Sequence, residues 1–475
     1  GGRWEDRGPH RDGQSASSKG GQGGFTTHTA QKDPRSRFGA RGGRGGGRGG
    51  FSNWHDKPQR VRVSSVDIKP EWTPLDGTNG QQDFTISTQQ IEKLREDDEP
   101  TGEDVVVVGS VFLVDKAIDK ASVRSAVPIR KIPESPPFHL ATVDDPVIKK
   151  LASDKVGNVF TTDLVLAALM AAPRSVNSWD IVIQRVDGNL FMDARQGCSL
   201  YETHVNETAV DAPDDEQKDN IINSMTALAA EAGYLNHCYS QQCLNKTQAP
   251  TPATKGDAAY VKAWSSMGSD VASPPAGKVF KFRKFVLSDE LTLVVRCEVD
   301  AALKTRDDSM AYLTVKALNE FDSKLSGVDW RQKLESQRAA VLANELKNNR
   351  NKLTRWTCQA LITGTDYLKL GFVSRLHSKD NVNHFVLGQQ LYRPEEFAKQ
   401  IELKTDNAWG IVSSVCGMLM QLPESAEERY LMVKDPNKQL LNFFKVPRDA
   451  FEDEMEDDMA DNQVRDEDHD SDFDA

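Results

Sequence analysis

Glu298 and Asp300 stand two residues apart in Val294-Val295-Arg296-Cys297-Glu298-Val299-Asp300. The run alternates apolar and polar residues and is rich in β-branched ones, which predicts a strand. A strand sends successive side chains to opposite faces, so Arg296, Glu298 and Asp300 share one. Tyr312-Leu313-Thr314-Val315-Lys316 predicts a second strand, with Tyr312, Thr314 and Lys316 on a common face. Two carboxylates followed by an acid-x-Lys element on the next strand hold Mg²⁺ beside a phosphodiester in many metal-dependent nucleases. Here Thr314 stands where that acid belongs. A neutral hydroxyl in place of a carboxylate weakens the metal and misplaces the attacking water. The expectation is a nuclease-like scaffold that binds an RNA end without cutting it, with no metal and no cofactor. The plain alternative is a salt-bridged sheet face made of Arg296, Glu298 and Lys316.

Other candidates surround this pair. Val279 to Phe285 predicts a basic strand whose Lys281 and Arg283 share a face, and with Arg174 and Arg185 they are candidate phosphate contacts. Thr161-Thr162-Asp163 predicts a helix start, a hydroxyl cap followed by an acid in the first turn, with Pro173 closing the helix. Trp179 to Val186 predicts a strand, and Asp187-Gly188-Asn189 a hairpin turn before Leu190-Phe191-Met192. Ser199 to Lys218 is a long polar loop carrying Glu202, Glu207 and Asp211. Residues 220–244 carry an apolar stripe at helical spacing, with Gly233, Asn236 and His237 on a neighbouring face.

The remaining elements must hold these residues in place. Val105–Val108 and Val111–Val114 predict two strands, and 247–277 a Thr/Pro/Gly/Ser-rich connection. A long helical region is predicted from Trp330 to about Thr363, ended by Gly364. Strands follow at 367–373 and 384–387, helices from Glu395 and from Asn407, and a last hairpin pairs 430–433 with 440–444. The Glu345-Leu346-Lys347 triplet is a rival acid-x-Lys element, rejected because 339–348 reads as helix.

Of the 475 residues, 38% are hydrophobic, on the low side for a chain that is folded throughout. The net charge of −12 is unevenly spread: residues 449–475 carry −13 and residues 1–63 carry +8. Residues 1–60 include the RGG-type run Phe38 to Phe51, predicted to be disordered and to contact RNA through arginine. Residues 61–448 are expected to fold as one large domain and 449–475 to form a disordered acidic tail. Six cysteines without a C-x-x-C pair predict reduced thiols and no structural zinc, hence a cytoplasmic or nuclear protein. No apolar run reaches membrane-spanning length, so no membrane partner is expected. The chain opens on Gly-Gly-Arg rather than Met, which predicts a piece of a longer protein.

Several strings carry a resemblance. Arg174-Ser175-Val176-Asn177-Ser178-Trp179-Asp180-Ile181-Val182, Tyr239 to Leu244, Gly327 to Leu334, Asn344 to Asn349 and Lys434 to Gln439 closely resemble the family of the D subunit of eukaryotic translation initiation factor 3. The resemblance runs from about Val61 to Pro447. It implies an α+β fold: a large domain of mixed central sheets flanked by helices, similar to decapping exoribonucleases. It implies a non-catalytic translation factor in the cytoplasm, with capped mRNA, other subunits of the factor and the 40S ribosomal subunit as partners. By that resemblance Glu298, Asp300, Thr314, Lys316 and Gln359 form a vestigial nuclease site. Asp163, Val176, Asn177, Gly233, Asn236 and His237 would read the cap. Residues 199–213, with Ser199, Glu202, Glu207, Asp211 and Pro213, would form an acidic gate over the RNA channel, since carboxylates repel phosphates. The alternative is an active metal-dependent decapping or 5′-end ribonuclease.

Overall fold

The hairpin predicted around Asp187-Gly188 lies inside the larger of two mixed sheets. Asp187 and Gly188 both adopt positive φ, 51° and 78°, the turn that matches strand twist. The computed structural model describes residues 62–77, 83–134, 138–208, 221–267, 275–425 and 428–451, all within one compact unit. The expectations for the RGG run, for Asp211 and Pro213 and for the acidic tail lie outside these residues.

The longer strands, in chain order, are β1 (Glu103–Val111), β2 (Val159–Thr162), β3 (Trp179–Val186), β4 (Asn189–Asp193), β5 (Val279–Val286) and β6 (Thr292–Val299). They continue with β7 (Ala301–Lys304), β8 (Met310–Glu320), β9 (Tyr367–Arg375), β10 (His384–Tyr392), β11 (Glu428–Lys434) and β12 (Leu440–Pro447). The larger sheet runs β12-β11-β3-β4-β2-β6-β5-β1, and the smaller runs β7-β8-β9-β10, with two-residue strands at the margins. β2 runs parallel to both β4 and β6, and β8 runs parallel to β9.

Longer helices cover these sheets: α1 (Pro146–Ser153), α2 (Asp163–Met170), α3 (Met225–Gln242), α4 (Ala258–Ser265), α5 (Arg338–Asn348), α6 (Arg350–Thr363), α7 (Pro394–Gln400) and α8 (Thr405–Leu419). α2 begins where the Thr162 hydroxyl accepts from the Val165 N–H. α2 packs on α6 and α8, and Leu166, Leu169, Ile362, Val412 and Val415 join Ile181 and Val295 of the larger sheet in one core. α3 lies on β8. It is fixed there by Glu231, which accepts from Arg375 Nε at 2.9 Å and pairs with His384 Nε2 at 2.8 Å.

Four expectations change. The valine-rich segment forms one strand, β1, because Gly109 turns at φ 104°, where a Cβ would lie 2.4 Å from the Lys278 carbonyl oxygen. Leu113 and Val114 then make only isolated bridges, to Ala302 and Leu244. The region 330–363 is a short helical turn (Trp330–Lys333) followed by α5 and α6; Asn349, at φ −135° and ψ 44°, breaks the last two apart. The connection 247–277 contains α4, whose Trp264 is buried against Phe138, Phe280 and Phe282. The packed chain also continues past 448: Phe451 is buried edge-on to Trp72 at 5.7 Å.

Candidate functional site

β6 ends at Val299 and β7 begins at Ala301, so the chain crosses from one sheet to the other at Asp300. The crossing is tied on both sides. The Asp300 N–H donates to the Leu313 carbonyl at 3.1 Å, and Asp300 Oδ2 accepts from the Val315 N–H at 2.9 Å. Residues 298, 300 and 314 are therefore brought together, although β6 and β8 belong to different sheets. Glu345 does lie in a helix, α5, which removes the rival register.

Sequence reasoning does not single out the cation that sits between the two acids. Lys278 Nζ lies 3.0 Å from Glu298 Oε2 and 2.9 Å from Asp300 Oδ1. The signal for it is the β5/β6 register, Val279 opposite Val299, which carries Lys278 to the level of Asp300. Burial works against the Lys278 charge, but the two carboxylates outweigh it and raise its pKa. Burial likewise opposes ionisation of Asp300, yet Lys278 and then Lys316 hold it below the usual carboxylate range.

A third acid belongs here too. Asp163, in the first turn of α2, is buried, and its Oδ2 accepts from the Glu298 N–H at 3.2 Å and the Thr363 hydroxyl at 3.3 Å. Burial, followed by the Glu298 charge, pushes its pKa up to about 7. With Asp163 protonated, two carboxylates face Lys278 and Lys316 and the cluster is neutral. Thr314 is buried, its hydroxyl 3.1 Å from that of Thr365, and Gln359 is half-buried on α6. Beside the cluster lies a small cavity lined by Phe138, His139, Tyr201 and Asp193. Asp193 accepts from both the N–H and the hydroxyl of Thr142 at 2.8 Å, and burial pushes it up to about 6. His139 Nδ1 meets the Tyr201 hydroxyl at 3.0 Å. Arg296 pairs with buried Asp145 at 2.8 Å, away from the lysines, so the salt-bridged face of the plain alternative forms through Lys278 instead.

The remaining candidates are dispersed. Val176 and Asn177 lie half-buried in the segment before β3, and the Asn177 side-chain nitrogen is buried without a hydrogen-bond partner. Gly233, Asn236 and His237 share α3. A Cβ at Gly233 would meet nothing within 4 Å. Asn236 Oδ1 accepts from the Ala317 N–H at 2.8 Å, and His237 Nε2 lies 3.1 Å from the Pro133 carbonyl oxygen.

The four expected phosphate contacts are engaged inside the fold, contrary to a free basic face. Lys281 is buried 3.4 Å from Asp104 and donates to the Thr363 and Gly364 carbonyls at the C-terminal end of α6. Arg283 bonds Asp104 at 2.7 Å, the Gly102 carbonyl at 2.8 Å and the Ile362 carbonyl. Cations are favoured there because that helix end is electronegative. Arg174 donates to Thr354 and to the carbonyls of Ile401 and Glu402, and burial lowers its pKa to about 10. Arg185 is buried and lies 3.6 Å from Glu424.

The described part of the acidic loop is fastened rather than free. Ser199 donates its hydroxyl to the Ser178 carbonyl, and Glu202 is held below the usual carboxylate range by a hydrogen bond from His204 at 3.1 Å. Glu207 is buried and its Oε1 accepts from the Lys352 N–H at 2.8 Å. It thus caps the start of α6, whose own N-cap, Asn349, makes no side-chain cap. Among the described residues, no cluster of three or more His, Cys, Asp or Glu side chains is arranged to hold a metal.

The family model described as eukaryotic translation initiation factor 3 subunit 7 matches residues 2–445 of this chain. The D subunit of that factor from Mus musculus and from Homo sapiens is 41% identical over 432 residues, covering 89% of this chain and 72% of each relative. Its Xenopus laevis counterpart is 41% identical over 435 residues, with the same coverage. Among solved structures, Scheffersomyces stipitis Rai1 in complex with (3′-NADP)+ and calcium ion is 13% identical with a TM-score of 0.45, covering 77% of this chain and 94% of that one. K. lactis Dxo1 in complex with manganese is 10% identical with a TM-score of 0.39, covering 78% and 98%.

Proposed function

The chain belongs to the family of the D subunit (also numbered 7) of eukaryotic translation initiation factor 3, and from that membership we propose that it binds capped 5′ ends of selected mRNAs without cleaving them. It acts in the cytoplasm within the multisubunit factor, on the 40S ribosomal subunit. The observation that carries the absence of cleavage is Lys278. An ammonium 3.0 and 2.9 Å from Glu298 and Asp300 takes the space and the charge that a hydrated Mg²⁺ would need. Thr314 adds no anionic oxygen to replace them.

Reading of the cap is supported by three features. A cationic purine asks for amide or acidic partners along its edge and for close approach. The Asn177 amide nitrogen has no internal partner, α3 leaves open space at Gly233, and Asp163 sits beside the acid cluster able to donate when protonated or accept when ionised.

Equilibrium binding of a short capped RNA and its uncapped triphosphate counterpart, each with and without Mg²⁺, tests both parts. The expected result is tighter binding of the capped RNA, which stays intact. Equal affinities overturn cap reading, and Mg²⁺-dependent release of nucleotides overturns the absence of cleavage.

A further inference from the structure

A cavity of about 400 Å³ lies away from the acid cluster, between the segment 99–102, the α2 C-terminus, β5, α6, α7 and the start of α8. Its size is that of a small-ligand site. The floor is apolar and aromatic: Phe285 and Trp409 are buried, with ring centroids 5.0 Å apart and planes tilted by 40°, and Met170 and Ile362 flank them. The two rings form an open angle against which a third flat ring can lie, offset or edge-on.

The charged groups at the cavity divide unequally. Arg283 is already paired with Asp104. Glu99, Glu395 and Lys399 are exposed at the mouth, leaving one negative charge in excess. Glu99 is held in position by the Thr405 hydroxyl, which donates to it at 2.8 Å. The segment carrying Glu99 is itself fastened to α8: Asn407 donates to the Ile91 and Leu94 carbonyls, Glu96 accepts from Ser413, and Arg95 pairs with Asp406 at 3.2 Å. The cavity is therefore a built feature with walls in fixed register.

We propose that this cavity is a second ligand site, distinct from the RNA-binding one, for a small flat aromatic molecule bearing a positive charge and no phosphate. The ring is buried on Phe285 and Trp409, and the cation faces Glu99 and Glu395. Phosphates are disfavoured at a mouth with net negative charge, which separates this site from the capped end.

The test uses 1-naphthylmethylamine and 1-naphthoate, equal in ring and opposite in charge, titrated into the full chain by calorimetry. The amine is expected to saturate one site and the acid to bind roughly fivefold or more weakly, the worth of about one surface charge contact. Ala408→Phe, which fills the cavity, is expected to abolish binding. Glu99→Gln with Glu395→Gln is expected to erase the preference for the amine; these exposed positions carry the test should the filled variant fail to fold. No saturable binding of either probe, equal affinities for both, or displacement of the amine by capped RNA would each overturn the proposal. The cap reading stands or falls separately, on capped against uncapped RNA.

Discussion

Among single residues, Asp163 and Lys278 are the most consequential. A carboxyl raised to about 7 binds its proton in the folded state between its unfolded value near 4 and pH 7. Its contribution therefore declines as pH rises through that window, and the full cost of ionisation is present above pH 7. Asp163→Asn keeps an oxygen to accept from Glu298 and Thr363 but cannot ionise. The variant is expected to gain on the native protein between pH 5 and pH 8 by about 3 kcal/mol, at roughly 1.4 kcal/mol per pKa unit, read from urea unfolding at the two pH values. A difference that does not change with pH would contradict this. Lys278→Met removes the cation between two acids. With about a quarter of the lysine exposed, a loss of about 1–3 kcal/mol is expected, less than for a fully buried pair. Divalent-ion affinity should rise about tenfold or more in calorimetry, because oxygen ligands are freed for a hard cation. Thr314→Glu, by contrast, places a carboxylate in a buried site beside Thr365. It is expected to cost about 3 kcal/mol or more without a gain in metal binding.

The elements were legible where local chemistry decides them. β3 spans the predicted Trp179–Val186, and α2 starts at the predicted cap. The break at Asn349 was not legible, since no glycine or proline marks it; the backbone turns there to bring Glu207 onto the start of α6 from far away in sequence. Lys281 and Arg283 read as a basic strand face, and they are; their partners are helix-end carbonyls that no local pattern reveals. Glu207→Ala is expected to lose the cap at Lys352, costing about 1–2 kcal/mol. Proteolysis or hydrogen exchange should increase first at 199–208. Unchanged protection there would show that the cap does not hold the loop.

Over the whole molecule, the segregation of charge between the ends of the chain is plain from composition, whereas the pairing of distant strands is not. The acids at 298 and 300 read correctly as strand neighbours, but nothing local announces that the two sheets meet between them. The same holds for α3, which Glu231 joins to Arg375 and His384 of the smaller sheet. Glu231→Ala would leave a buried guanidinium uncompensated, and a loss of about 3–5 kcal/mol is expected, with α3 exchanging before β9 and β10. Simultaneous exchange would mean that the network does not anchor the helix. At Asp300 the cluster that resembles a ligand site is also the rivet between two plates. A substitution there that abolishes RNA binding has two ways of doing so, by removing a contact or by letting the plates slip. Only variants whose melting is unchanged report on the contact itself.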